Sequence, residues 1–74
     1  MTVKFSKHAI QRISERFADC AAELAAIIEV GLLHEWASPE PGSRWVLCGA
    51  IGHRRVSVVV SNERCGIVTV ITAF

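Results

Sequence analysis

Tyrosine is absent from this 74-residue chain, and aromatic residues together make up 7% of it. Net charge is nearly absent too: eight Lys and Arg stand against seven Asp and Glu, a formal +1. That excludes coating nucleic acid by bulk charge, because such affinity comes from neutralising many phosphates. Cysteine is scarce and odd in number. Cys20, Cys48 and Cys65 contain no C-x-x-C pair, so they read as small buried thiols rather than a disulfide framework or zinc site. His8, His34 and His53 are equally scattered, and neither a metal nor another cofactor is expected. The longest apolar stretch, Cys20 to Leu33, is interrupted by Glu23 and Glu29. It falls short of the roughly 20 residues that a membrane span requires. The opening MTVKFSKHAI lacks the apolar core of a signal peptide, so the expectation is a cytoplasmic domain with no membrane segment.

What is present is a foldable composition, 51% hydrophobic and 20% charged. The length predicts one domain over 1–74. Its core is thin, so dimerisation or partner binding would add to its stability. The small net charge also conceals a segregation. Lys4, Lys7, Arg12 and Arg16 against Glu15 give residues 1–18 a balance of +3. Asp19, Glu23, Glu29, Glu35 and Glu40 give residues 19–40 a balance of −5. Arg44, Arg54, Arg55 and Arg64 against Glu63 return residues 41–74 to +3. Two basic blocks meeting in space would make a local anion site.

Ser6 is suited to N-cap a helix running to about Phe17, with Ile10, Ile13 and Phe17 as its apolar stripe. His8, Arg12 and Arg16 recur every four residues on the opposite side of that helix. Asp19 is placed to cap a second helix, Cys20 to Val30, with Gly31 as its C′ terminator. Leu24, Ile27 and Ile28 supply its stripe, while four alanines leave little polar cover, which suits a sandwiched helix or a dimer contact. Leu32 to Trp36 reads as a short strand, and Ala37 to Ser43 as a loop with two prolines. Arg44–Ile51 and Arg54–Ser61 form a hairpin about Gly52-His53; Asn62–Gly66 is a turn and Ile67–Phe74 a last strand. The fold class is α+β: two N-terminal helices on one face of a three- to four-stranded antiparallel sheet.

The row His8, Arg12, Arg16 carries the most chemistry. An imidazole moves protons near neutral pH, and a guanidinium grips phosphate bidentately. The plainer reading is a solvated face with Arg12 or Arg16 paired to Glu15. Arg54 and Arg55 project to opposite sides of their strand, so at most one joins the helix face. Arg44, opening the adjacent strand, is expected across from that end of the hairpin. Ser57, Ser61, Thr69 and Thr72 are strand hydroxyls, and Trp36 and Trp45 are core anchors. Neither a nucleophile elbow nor a phosphate-cradling loop is present.

Phe5-Ser6-Lys7-His8-Ala9-Ile10-Gln11-Arg12-Ile13-Ser14-Glu15-Arg16-Phe17 resembles the opening "T/S-K-H-A-x-x-R-h-x-x-R" of the small DUF4258 domains. Ser43 to Gly49 resembles that family's "R-Y-x-h-x-G" strand, Arg54 to Val60 its "R-P-L-x-V-V-V" strand, and Val70 to Phe74 its closing "V-h-T-V-Y". Arg55 replaces the family's Pro, and Phe74 its frequent Tyr. The resemblance implies a RelE-like fold, shared with BrnT toxins and the metal-independent ribonucleases of the barnase–EndoU–colicin–RelE group. In that group an RNA 2′-hydroxyl attacks the adjacent phosphate. The resemblance implies His8 as general acid or base, Arg12 and Arg16 on the scissile phosphate, and Thr72 orienting His8 or donating to a phosphate oxygen. Arg54 would add a contact from the sheet, with Arg44 and Arg55 as further RNA-binding residues.

Two functions follow. One is a small metal-independent ribonuclease or toxin acting on RNA phosphodiesters, with RNA or an RNA-containing complex as its partner. The other is a non-catalytic binding protein, of the phage- or plasmid-type inhibitor kind, docking on a larger protein or nucleoprotein through the acidic 19–40 region.

Overall fold

The structure, a computed structural model, describes residues 2–35, 42–64 and 66–74. The order of elements is β1 (Thr2–Phe5), α1 (Lys7–Arg16), α2 (Ala21–Glu35), β2 (Arg44–Ile51), β3 (Arg54–Arg64) and β4 (Ile67–Ala73). They build one four-stranded sheet in the order β1-β4-β3-β2. The α+β class is as the sequence indicates, but the sheet is mixed. β1 pairs parallel with β4, from Thr2↔Ile67 to Phe5↔Val70, and the other pairings are antiparallel. Four residues immediately before a helix cap carry no periodicity long enough to announce a strand, so β1 was not foreseen.

One face of the sheet is covered. Val56, Val58 and Val60 of β3, Val68 and Val70 of β4, and Leu47 of β2 form a single buried cluster with Ala9, Phe17, Leu24, Ile28 and Leu32 of the helical layer. The intervening strand residues turn to the opposite face, where β3 presents Arg55, Ser57, Val59 and Ser61. On that face no helix of the described residues packs.

Three expectations about the helices change. In α1 the buried residue is Ala9, and Ile10 is 55% exposed. The inward stripe is Ala9, Ile13 and Phe17, spaced by four. Gly31 does not end α2, and Leu32 to Glu35 are helical rather than a strand. A Cβ at Gly31 would stand 3.0–3.2 Å from side-chain atoms of Leu47, and one at Gly49 would stand 2.8 Å from Ile27. Both glycines let α2 settle closely on β2, and the apolar face gained outweighs the cost of a mid-helix glycine, about 1 kcal/mol. Trp36 and most of the Pro-containing loop lie outside the described residues.

The hairpin falls at Gly52-His53 as expected, with Ile51 opposite Arg54 and Gly52 at φ +61°. β3 continues to Arg64, taking in much of the expected turn, and Asn62 is buried within it. β4 ends at Ala73, although the Phe74 backbone still exchanges hydrogen bonds with Ser57. Of the three cysteines expected as buried thiols, Cys20 is half-buried and Cys48 is exposed; Cys65 lies outside the described residues.

Candidate functional site

Ser6 builds the site. Its extended backbone (φ −67°, ψ 161°) ends β1 and its side chain caps α1, accepting from the Ala9 N–H at 3.0 Å. The same hydroxyl donates to the Ile71 carbonyl at 2.9 Å, and the Ser6 N–H donates to the Val70 carbonyl at 3.0 Å. The first turn of α1 is thereby pinned beside the end of β4. At that point Val60 pairs with Val70 and Val59 with Thr72, so Ile71 is the extra residue of a bulge. His8 follows the pin by two residues on α1, and Thr72 by one on β4. The two segments run side by side, but Thr72, opposite Val59, turns to the face of the sheet away from α1, which separates it from His8.

His8 is exposed in the first helical turn, and Arg12, half-buried, sits one turn further along the same side. Arg16 closes the row at the last turn, about 12 Å from His8 along the axis at 1.5 Å per residue. The Glu15 carboxylate accepts from the Gln11 side chain at 3.0 Å. Among the described residues it forms no ion pair with Arg12 or Arg16, so both guanidiniums stay available to an anion.

Arg54 lies on the helix-covered face, opposite Ile51. Its Nη1 donates to the Arg16 carbonyl at 3.0 Å, and its Cζ stands 4.3 Å from the centre of the Phe17 ring. It therefore joins the last turn of α1, satisfying a free carbonyl and complementing the negative end of the helix dipole. Arg16 and Arg54 make a basic spot at the far end of α1 from His8. Beside it, partial burial pushes the Cys20 thiol pKa up, and the adjacent Asp19 carboxylate adds to the rise.

The remaining candidates lie on the open face. Arg55 is opposite Ala50 and borders a groove with Cys48, Gly49 and Ser57. Thr72, opposite Val59, is also on this face but at its β4 end. Four residues of strand separate the Val59 and Arg55 levels, about 13 Å. Arg44 is opposite Ser61, not across from Arg54 and Arg55. An antiparallel hairpin sends the first residue of β2 to the end remote from the turn, which corrects the expected juxtaposition. In the same cross-strand row, Ser61 faces Thr69 and Thr69 faces Lys4, and the Thr69 hydroxyl donates to Glu63.

The structure thus sets His8 and Arg12 along the first turns of α1 and Arg16 with Arg54 at its last turn, and it leaves Thr72, Arg44 and Arg55 on the open face of the sheet, apart from both. Among the described residues no group of three or more His, Cys, Asp or Glu gathers as metal ligands, and no helix is long and apolar enough to cross a membrane. Sequence reasoning found Ser6 as a cap but missed its bond to Ile71, a contact between residues 65 apart. Only the parallel β1–β4 pairing reveals it. Comparison with family models, curated proteins and solved structures finds no match to this chain.

Proposed function

We propose that the chain is a small metal-independent ribonuclease of the RelE-like kind, with its reacting centre along the outer side of α1. The observation that supports this reading is the row of exposed His8 and half-buried Arg12 on α1, a helix whose first turn is pinned by the Ser6–Ile71 hydrogen bond. The order β-α-α-β-β-β, with the first strand parallel to the last, supports the RelE-like fold that the sequence resemblance implies.

In this mechanism His8 removes the proton from the RNA 2′-hydroxyl, or protonates the leaving 5′-oxygen, as the 2′-oxygen attacks phosphorus. Arg12 holds the non-bridging phosphate oxygens and offsets the charge that grows on them. Arg16 with Arg54 holds a neighbouring phosphate at the other end of α1, so the helix itself becomes the ruler along which RNA lies. A row this short suits a formal charge of +1.

Purified protein incubated with single-stranded RNA tests the reading. Cleavage is expected to leave 2′,3′-cyclic phosphate ends and to fall about 10²–10⁴-fold in His8→Ala. Expression is expected to arrest growth, and His8→Ala to relieve the arrest. Intact RNA after incubation with the wild-type protein, or undiminished cleavage by His8→Ala, overturns it.

A second reading has an observation of its own. Val3 and Phe5 of β1 face the helical layer but are 36% and 43% exposed, beside Leu33 at 77%. With Ala25, Leu32 and the single carboxylate Glu29 they line an apolar groove along α2. That groove favours the binding-protein alternative, docking on a larger protein through the acidic segment. RNA left intact by the wild-type protein would leave this reading standing.

A further inference from the structure

We propose that the chain forms a two-fold symmetric dimer by antiparallel pairing of β2 with β2 of a second copy, giving a continuous eight-stranded sheet. The proposal is independent of the ribonuclease reading, since it rests on the opposite side of the molecule from His8.

The hydrogen-bond pattern comes first. Ser57 exchanges both its backbone hydrogen bonds with Phe74, so its N–H and C=O point toward β4. Asn62 uses its N–H and C=O toward Ser43 and Gly42, on the other side of β3. Alternation then sends the even-numbered groups of β3 toward β2, where Val60, Val58 and Val56 meet Trp45, Leu47 and Gly49. The even-numbered residues of β2, which are Arg44, Val46, Cys48 and Ala50, consequently direct their N–H and C=O groups outward from the sheet. All four are exposed.

Most edge strands are guarded against such pairing by shortness, a bulge, a proline or an inward charge. β1 shows one of these devices, having only four residues, and its centre carries the exposed Lys4. β2 has none of them. It runs eight residues, keeps an unbroken register with β3 throughout, and after Arg44 reads Trp-Val-Leu-Cys-Gly-Ala-Ile. An edge this long, regular and uncharged is complementary to itself. Outward groups must meet outward groups, and a two-fold axis through Cys48 satisfies this by setting Cys48 opposite Cys48 and Val46 opposite Ala50 of the second copy.

The flank of α2 beside that edge fits the same occupant. Ala26, Val30 and Gly31 border a groove that reaches β2 at Cys48, Gly49 and Ala50, and Val30 is 53% exposed. These small side chains leave room for a second helix to lie alongside. The groove carries Glu23 near one end and His34 near the other. A two-fold axis runs the two α2 helices antiparallel, bringing the Glu23 end of each against the His34 end of its mate. A second copy thus supplies the strand, the apolar helix flank and a hydrogen-bonding imidazole for the carboxylate together.

Sedimentation equilibrium of the full chain under reducing conditions tests this, with a mass twice the 8.1 kDa of the chain expected. Two substitutions follow. Val46→Lys places a charge on the edge. Cys48→Pro removes an outward N–H without removing a bond to β3, and proline is tolerated at such an edge position. Both are expected to sediment as monomers with an unchanged circular dichroism spectrum. Amide exchange in the wild-type chain gives a readout that needs no variant. Val46, Cys48 and Ala50 should gain protection with rising concentration, while Leu47 and Gly49 stay protected throughout. A monomeric wild-type mass up to the solubility limit, exchange that does not vary with concentration, or a dimer that survives both substitutions overturns the proposal.

Discussion

The two helices are held in place by different physics. α1 is fixed at its ends by directional bonds: Ser6 to Ala9 and Ile71 at the start, and Arg54 to the Arg16 carbonyl and the Phe17 ring at the finish. α2 is fixed along its length by contact, with Leu24, Ile28 and Leu32 buried and Gly31 and Gly49 removing the side chains that would hold it off β2. Contact of that kind tolerates small slides, whereas a hydrogen bond at each end sets position and rotation together. The helix that carries His8 and Arg12 is the one located by bonds, as a site requiring a fixed side-chain position demands.

Removing packing beneath α2 should have the largest effect on stability. Leu47 is fully buried against Gly31, and Leu47→Ala is expected to cost about 2–5 kcal/mol, read as a fall in urea midpoint. Ser6→Ala should cost about 1 kcal/mol in the same measurement. On the proposed function its effect on RNA cleavage should exceed what that loss implies, because the first turn of α1, which carries His8, then loses its bond to β4. Equal stability with unchanged cleavage would show that the end-bonds of α1 do no positioning. Arg54→Ala should be the smallest, under about 1 kcal/mol, since the group is exposed and its ring contact is of the weak surface kind. Its signature is faster amide exchange at Phe17 and in the last turn of α1, with the first turn unaffected.

What was legible in the sequence divides along the same line. Patterns that local repetition writes were readable: α1 and its cap, the Gly52-His53 hairpin, and the three later strands. Features that depend on a distant surface were not. Gly31 has the local look of a helix terminator, and only Leu47 beneath it explains why the helix continues. Ile10 and Ala9 were exchanged as the inward residue because the depth available beneath α1 is set by β4, not by α1 itself. The face that each arginine occupies follows from alternation once the register is known. The level of Arg44 follows from the direction of β2 relative to the hairpin, which puts its first residue at the end remote from the turn. For the site, His8 and Arg12 are visible as a row, but the face that Thr72 takes follows only from its pairing with Val59.

β1 and β4 stand at opposite ends of the sequence, and the bond from Ser6 to Ile71 closes a loop of nearly the whole chain. Such closure is slow in folding, because the chain entropy must be surrendered before the contact returns anything. It also makes the start of α1 a late feature of folding: the Ser6 hydroxyl gains its Ile71 partner only once β4 has taken its place against β3.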